Sequence, residues 1–166
     1  MDATQKRIEN FKKVERFPVT SPDQLKSSLP RALYAWWQTF LPELPSRANF
    51  DITKHRELVS NIFLIEVVGD GHFLYRLHGE RVTQLVGRSN HNTRFSAESS
   101  LLDDRLLAEH LHNVITARAA YHCFGNLSMF DREFIQFESL DCPLADAEGN
   151  ITHILGVLVD IQEGDL

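Results

Sequence analysis

The last third of the chain most restricts its fold. Three segments, YHCFGNLS, EFIQFESLDCPL and ITHILGVLVDI, are rich in β-branched and aromatic residues and are joined only by MFDR and ADAEGN. Strands linked this closely form an antiparallel meander. Upstream, IFLIEVV and HFLYRLH flank Gly69-Asp70-Gly71, a hairpin signature, and HFLYRLH sets Phe73, Tyr75 and Leu77 on one face. Two helical patterns separate hairpin from meander. One carries Val82, Leu85 and Val86 with Gly87 as its C-cap; the other, Leu101 to Ala117, carries Leu107, Leu111, Val114 and Ile115 as a stripe, with Asp103-Asp104 in its first turn. The expectation is an α+β fold, one antiparallel sheet with its helices gathered on one face.

Ahead of the hairpin, Leu29, Leu33, Trp36, Trp37 and Phe40 recur at helical spacing behind Ser28 and Pro30, and Pro42 and Pro45 end the pattern. Asp51 or Thr53 caps a short helix reaching Val59. Residues 1–28 are charge-rich, with Ile8, Phe11 and Val14 as a sparse stripe, and read as a helical or mobile extension on a Pro/Ser/Thr hinge. RSNHNTRFSAESS reads as irregular. The division is an extension over 1–28, one domain over 29–162 and a tail over 163–166.

Composition removes several function classes. At 43% hydrophobic and 24% charged, with a net charge of −6 and both signs interspersed, the chain has no basic face for nucleic acid. No apolar run approaches the roughly 20 residues of a spanning helix, and MDATQKRIENFKKVERF carries charge where a secretory signal is apolar. The expected location is the cytoplasm, away from membranes. Cys123 and Cys142 lack the spacing of a zinc or redox motif, and a hairpin turning near Phe130-Asp131 sets Cys123 opposite a residue near Glu138, too far from Cys142 for a disulfide.

In order, PSRANFD, IFLIEVV, FLYRLHG, LVGR and CPLADAEGNITHILGVLVDI resemble the PAS domain superfamily, and within it a subfamily of short single-domain proteins common in alphaproteobacteria. The resemblance runs from about Leu29 to Ile161. It implies a five-stranded antiparallel sheet with its first and last strands central, helices enclosing a small cavity, and a sensory or interaction role instead of catalysis. Gly79-Glu80 departs from the Gly-Thr common in that subfamily, which removes a hydroxyl from the pocket rim.

Particular chemistries can be weighed residue by residue. The closest match to the flavin-binding core of light-sensing relatives is Asn92-Thr93-Arg94-Phe95, where threonine replaces the cysteine that forms the adduct, so covalent flavin chemistry is excluded. Haem is a less favoured reading that rests on His110, at the edge of the Leu107/Leu111/Val114 stripe; His112 points elsewhere. The remaining histidines are scattered without ligand spacing, so no metal site is expected. Arg76, Arg88 and Arg94 suit either an anion or loop-holding contacts. In FESLDCPL the apolar parity switches from Ile135 and Phe137 to Leu140, Cys142 and Leu144, which a bulge or strong twist would explain. Glu138 and Asp141 lie there without a base or oxyanion motif beside them, so no enzyme is expected.

The reading is a cytoplasmic sensory module that binds an unidentified small molecule in an internal cavity and signals through protein contacts. Phe73, Tyr75, Leu85, Leu107, Leu111, Ile115, Phe124 and Phe137 are the expected cavity wall, with Arg88, Arg94 and His110 as polar contacts. The alternative is a ligand-free interaction module, since the 11 Phe, 3 Tyr and 2 Trp side chains could fill such a core. A homodimer through the N-terminal helix and a partner signalling protein are the expected associations, with Trp36 or Trp37 either in that interface or packed on the sheet.

Overall fold

Apolar side chains on both faces of the long C-terminal strands dictate the layering. In the computed structural model, which describes residues 2–161, the chain forms α1 (Ala3–Lys13), β1 (Glu15–Pro18), α2 (Ser28–Gln38), β2 (Ile62–Gly69) and β3 (His72–His78). It continues through α3 (Glu80–Val86), β4 (Arg94–Ser96), α4 (Leu102–Ala117), β5 (Tyr121–Leu127), β6 (Arg132–Ala145) and β7 (Ile151–Asp160). The tail expected over 163–166 lies outside the described residues.

The strands make one antiparallel sheet in the order β1-β5-β6-β7-β2-β3-β4. Its centre is the expected one, with β2 against β7, but it has seven strands where five were anticipated. β1 pairs Glu15↔Phe124 to Pro18↔Tyr121 on one edge, and β4 pairs His72↔Ser96 to Leu74↔Arg94 on the other. Both cover what would be open edges, and both are too short for alternation to announce them. Residues 1–28 therefore contribute a strand to the sheet, and Val14, Val19 and Leu25 are buried in it or beneath it.

Helices lie on both faces, in place of the single covered face anticipated. Every residue from Phe137 to Ala145 is buried. Along β6, Leu140, Cys142 and Leu144 form one core with Leu155 and Val157 of β7 and with Leu33, Tyr34 and Trp37 of α2. The alternate residues face α3 and α4 on the other side. The β6–β7 register is unbroken from Phe137↔Asp160 to Leu144↔His153, so no bulge explains the parity switch in this strand. Two cores, one per face, explain it.

Trp37 is 2% exposed and donates its indole N–H to the Pro143 carbonyl at 3.0 Å. Trp36 is half-buried and meets Phe40 and Phe50 edge-on. Both tryptophans thus have partners within the chain. The short helix expected before β2 is instead a pair of single 3₁₀ turns, Ile52–Lys54 and Arg56–Leu58, the first capped by the Asp51 carboxylate. β3 passes into α3 without a loop because Gly79 permits backbone contact: a Cβ there would lie 2.4 Å from the Ser60 carbonyl oxygen.

Candidate functional site

On the α3–α4 face the sheet does not close completely. A cavity of about 360 Å³ remains between the strands, α4, α3, the end of α1 and the loop that carries Arg88 and Thr93. Gly156 helps shape it. The Phe63 ring lies across this glycine, and a Cβ at 156 would stand 2.0 Å from Phe63 Cζ. With the ring held against β7, Phe63, Ile65, Tyr75 and Leu111 form an apolar wall. Burial and the nearby acids Asp141 and Asp104 push the Tyr75 phenol upward, so it stays a neutral hydroxyl.

The opposite end is polar. His110 Nε2 lies 2.6 Å from Asp141 Oδ2 and 3.7 Å from Cys123 Sγ, and all three side chains are buried. Burial alone would lower the His110 pKa, but the Cys123 sulfur and the Asp141 carboxylate outweigh it and raise the pKa to about 10. Arg16, from β1, lines the same end, with its guanidinium 3.6 Å over the Phe11 ring and donating to the Phe11 carbonyl at 2.6 Å. Its Nε is buried without a hydrogen-bond partner among the described residues. Burial also raises the Asp104 pKa, against the opposing pull of Arg88.

The expected site residues divide. Tyr75, Arg88, Leu107, His110, Leu111 and Phe137 line the cavity. Phe73 is buried beside it, with its ring stacked on Phe95 at 5.3 Å, and Ile115 packs against the same cluster. Leu85 is buried in the α3 cluster behind the wall. Arg94 is exposed on β4. Phe124 lies on the α2 face, where it stacks on His122 and carries the Lys26 ammonium at 4.9 Å. Its neighbour Cys123 takes the cavity side, because adjacent strand residues point oppositely.

A second correction concerns β3. Leu64 pairs Leu77 but Ile65 pairs Tyr75, so Arg76 is bulged out of register. Leu77 turns to the α2 core while His78 turns into the cavity, the reverse of simple alternation. Sequence reasoning also missed Arg16, Cys123, Ser139 and Asp141 as cavity residues. For two of them a signal existed. The parity switch in FESLDCPL marks where the cavity face of β6 changes from Phe137 to the polar Ser139 and Asp141.

A wider groove of about 610 Å³ lies near Lys26, Ser27, Asn61 and Arg81, but Leu29 and Val159 are its only apolar lining residues among those described. It lacks a wall against which a ligand could be desolvated, so the cavity is the better candidate.

A seven-stranded antiparallel sheet with helices enclosing a cavity on one face defines a small α+β architecture. The PAS domain family model matches residues 25–159, and the chain belongs to that family. Among solved structures, it is similar to an RNA-binding Light-Oxygen-Voltage receptor at 17% identity and TM-score 0.49, over 92% of this chain and 40% of that one. It is also similar to the PAS domain of BvgS from Bordetella pertussis, at 18% identity and TM-score 0.46 over 68% and 87% of the two chains. A sensory box sensor histidine kinase from Vibrio cholerae aligns at 14% identity and TM-score 0.42, over 67% and 87%. No curated protein matches the chain. Among the described residues, no helix is long and apolar enough to cross a membrane.

Proposed function

We propose that the chain is a sensory module that works in the cytoplasm by binding a small amphipathic molecule in the α4-side cavity, without catalysing a reaction. The observation that carries this reading is the cavity itself. Its 360 Å³ falls within the roughly 300–1,000 Å³ of ligand pockets, with an apolar wall at one end and Arg16, His110 and Asp141 at the other. A ligand that favours one packing of α4 and the Arg88–Thr93 loop shifts the population toward it. Output then passes through protein contacts, with a signalling partner or a second copy of the chain.

Native and denaturing mass spectrometry of protein purified from its own host, with an absorbance scan, tests this. The expected result is a non-covalent mass increment that vanishes on denaturation and falls in folded Tyr75→Ala and Leu111→Ala variants. An increment that ignores both substitutions would overturn the pocket assignment. A bare dimeric mass would favour the ligand-free interaction module.

A further inference from the structure

Read along the chain, the histidines argued against a metal site; the fold brings one of them beside a sulfur and a carboxylate. We propose that His110, Cys123 and Asp141 form a three-ligand site for a borderline divalent metal ion of the zinc type, with its fourth position open to the cavity. The imidazole nitrogen, the thiol sulfur and a carboxylate oxygen all lie within 4.8 Å of one another. They come from α4, β5 and β6, so no local spacing announces them.

The donor set and its geometry agree with such an ion. Zinc takes nitrogen and oxygen at roughly 2.0–2.2 Å and thiolate sulfur at about 2.3 Å, so a tetrahedral site separates its donors by about 3.3–3.6 Å. The nitrogen–sulfur separation is 3.7 Å without any movement. The nitrogen–oxygen separation of 2.6 Å must open by less than about 1 Å as the ion replaces the shared proton, a change within reach of side-chain rotation. Burial of all three side chains, each 4–5% exposed, removes water that would compete for the ion.

Charge says what fills the fourth position. Thiolate and carboxylate neutralise the divalent ion, and the imidazole binds as a neutral donor. Arg16 lines this end of the cavity, so an anionic donor, either hydroxide or the carboxylate of a cavity ligand, suits the open position. The other buried imidazole–carboxylate pair, His122 and Glu138, is unsuited to the role. Among the described residues it is not grouped with a third donor, and two backbone N–H groups occupy its carboxylate.

The proposal shares the cavity with the reading above, yet it requires no organic ligand. Reduced, chelator-treated full-length protein titrated with Co²⁺ should bind one ion per chain, with a sulfur-to-cobalt charge-transfer band and intense visible bands of tetrahedral cobalt that Zn²⁺ displaces. Cys123→Ser should abolish the charge-transfer band and weaken Zn²⁺ binding by more than about 100-fold, beyond the loss typical of an outer-sphere partner. Cys142→Ser, on the other face, should leave the band intact. If Cys123→Ser does not fold, as judged by tryptophan fluorescence, Asp141→Asn serves instead, and it should retain the sulfur band with weakened affinity. The absence of a sulfur band in the wild type, a band that follows Cys142, or full affinity in Asp141→Asn would overturn the site. In the mass-increment test a metal ion adds only its own mass, which Cys123→Ser removes, whereas an organic ligand adds more and answers to Tyr75→Ala and Leu111→Ala, so failure of the metal site and failure of the ligand pocket are distinguishable.

Discussion

Two buried imidazole–carboxylate pairs flank β6, one on each face, and they differ in what else their carboxylates hold. On the α2 face, Glu138 accepts from His122 at 2.7 Å and also from the backbone N–H groups of Lys26 at 2.7 Å and Ser27 at 2.8 Å. Ser27 is the N-cap of α2, so a carboxylate on the sheet supplies the helix end with a negative charge its own sequence lacks there. On the cavity face, among the described residues, Asp141 meets only His110, whose Nε2 also lies 3.7 Å from the Cys123 sulfur, beside open space. A carboxylate saturated with fixed donors is a structural pin. One that shares a single contact beside a cavity retains capacity for a ligand or ion.

The largest test of this contrast is truncation. Glu138→Ala removes three hydrogen bonds and leaves His122 buried without its partner, and should cost about 3–5 kcal/mol in urea unfolding. Asp141→Ala opens onto the cavity and should cost clearly less; equal costs would erase the distinction. The pin also has a pH signature. Burial alone would raise the Glu138 pKa, but His122 and the Lys26 and Ser27 N–H groups outweigh it and hold it below the ordinary 4.5. A depressed folded-state pKa contributes stability that is present above the unfolded value and lost as pH falls through the folded one. The wild type should therefore lose stability into acid below about pH 4.5 more steeply than Glu138→Gln.

How much of this contrast was legible follows from what strands reveal. β2, β3 and the C-terminal meander were readable because alternating or continuous apolar runs bounded by turns leave few alternatives. β1 and β4 were not, since three or four residues carry no measurable period, and pairing with a distant strand decides them. The cavity wall was half legible. Tyr75, Leu107, Leu111 and Phe137 followed from periodicity together with the PAS resemblance. Phe124 was placed one residue out of phase, and Leu77 was sent to the wrong face by a bulge at Arg76 that only pairing with β2 reveals. His110 was recognisable on its helix, but Cys123 and Asp141 were not, because the fold joins them across α4, β5 and β6.

A smaller effect separates the two faces by volume. On the cavity side, Gly156→Ala would drive its new Cβ into the Phe63 ring and push that ring toward the empty space. Overpacking in a dense core costs about 1–3 kcal/mol, and here the cavity relieves part of it, so the expected loss is at the lower end. Ligand occupancy should fall further than stability, as read by the mass increment in the folded variant. A variant that kept full occupancy would show that Phe63 does not bound the binding space.

The smallest effect compares the helices over the two cores. α2 buries Pro30, Leu33, Tyr34 and Trp37, whereas α1 contributes no buried residue. What ties α1 to the body includes the Arg7–Asp103 ion pair at 2.9 Å, with both side chains about a third exposed. A pair this open contributes about 0.2–1 kcal/mol, so Arg7→Ala should hardly change the global unfolding midpoint. Its effect belongs to local opening, because α1 has little apolar burial to hold it once the ion pair is gone. Amide exchange should accelerate in Ala3–Lys13 and remain unchanged in Ser28–Gln38. Since Phe11 and Val14 border the cavity, ligand exchange should quicken with it. If α1 and α2 instead opened together, the two faces would form one cooperative unit, and the cavity side could not respond to a ligand while the pinned side stayed fixed.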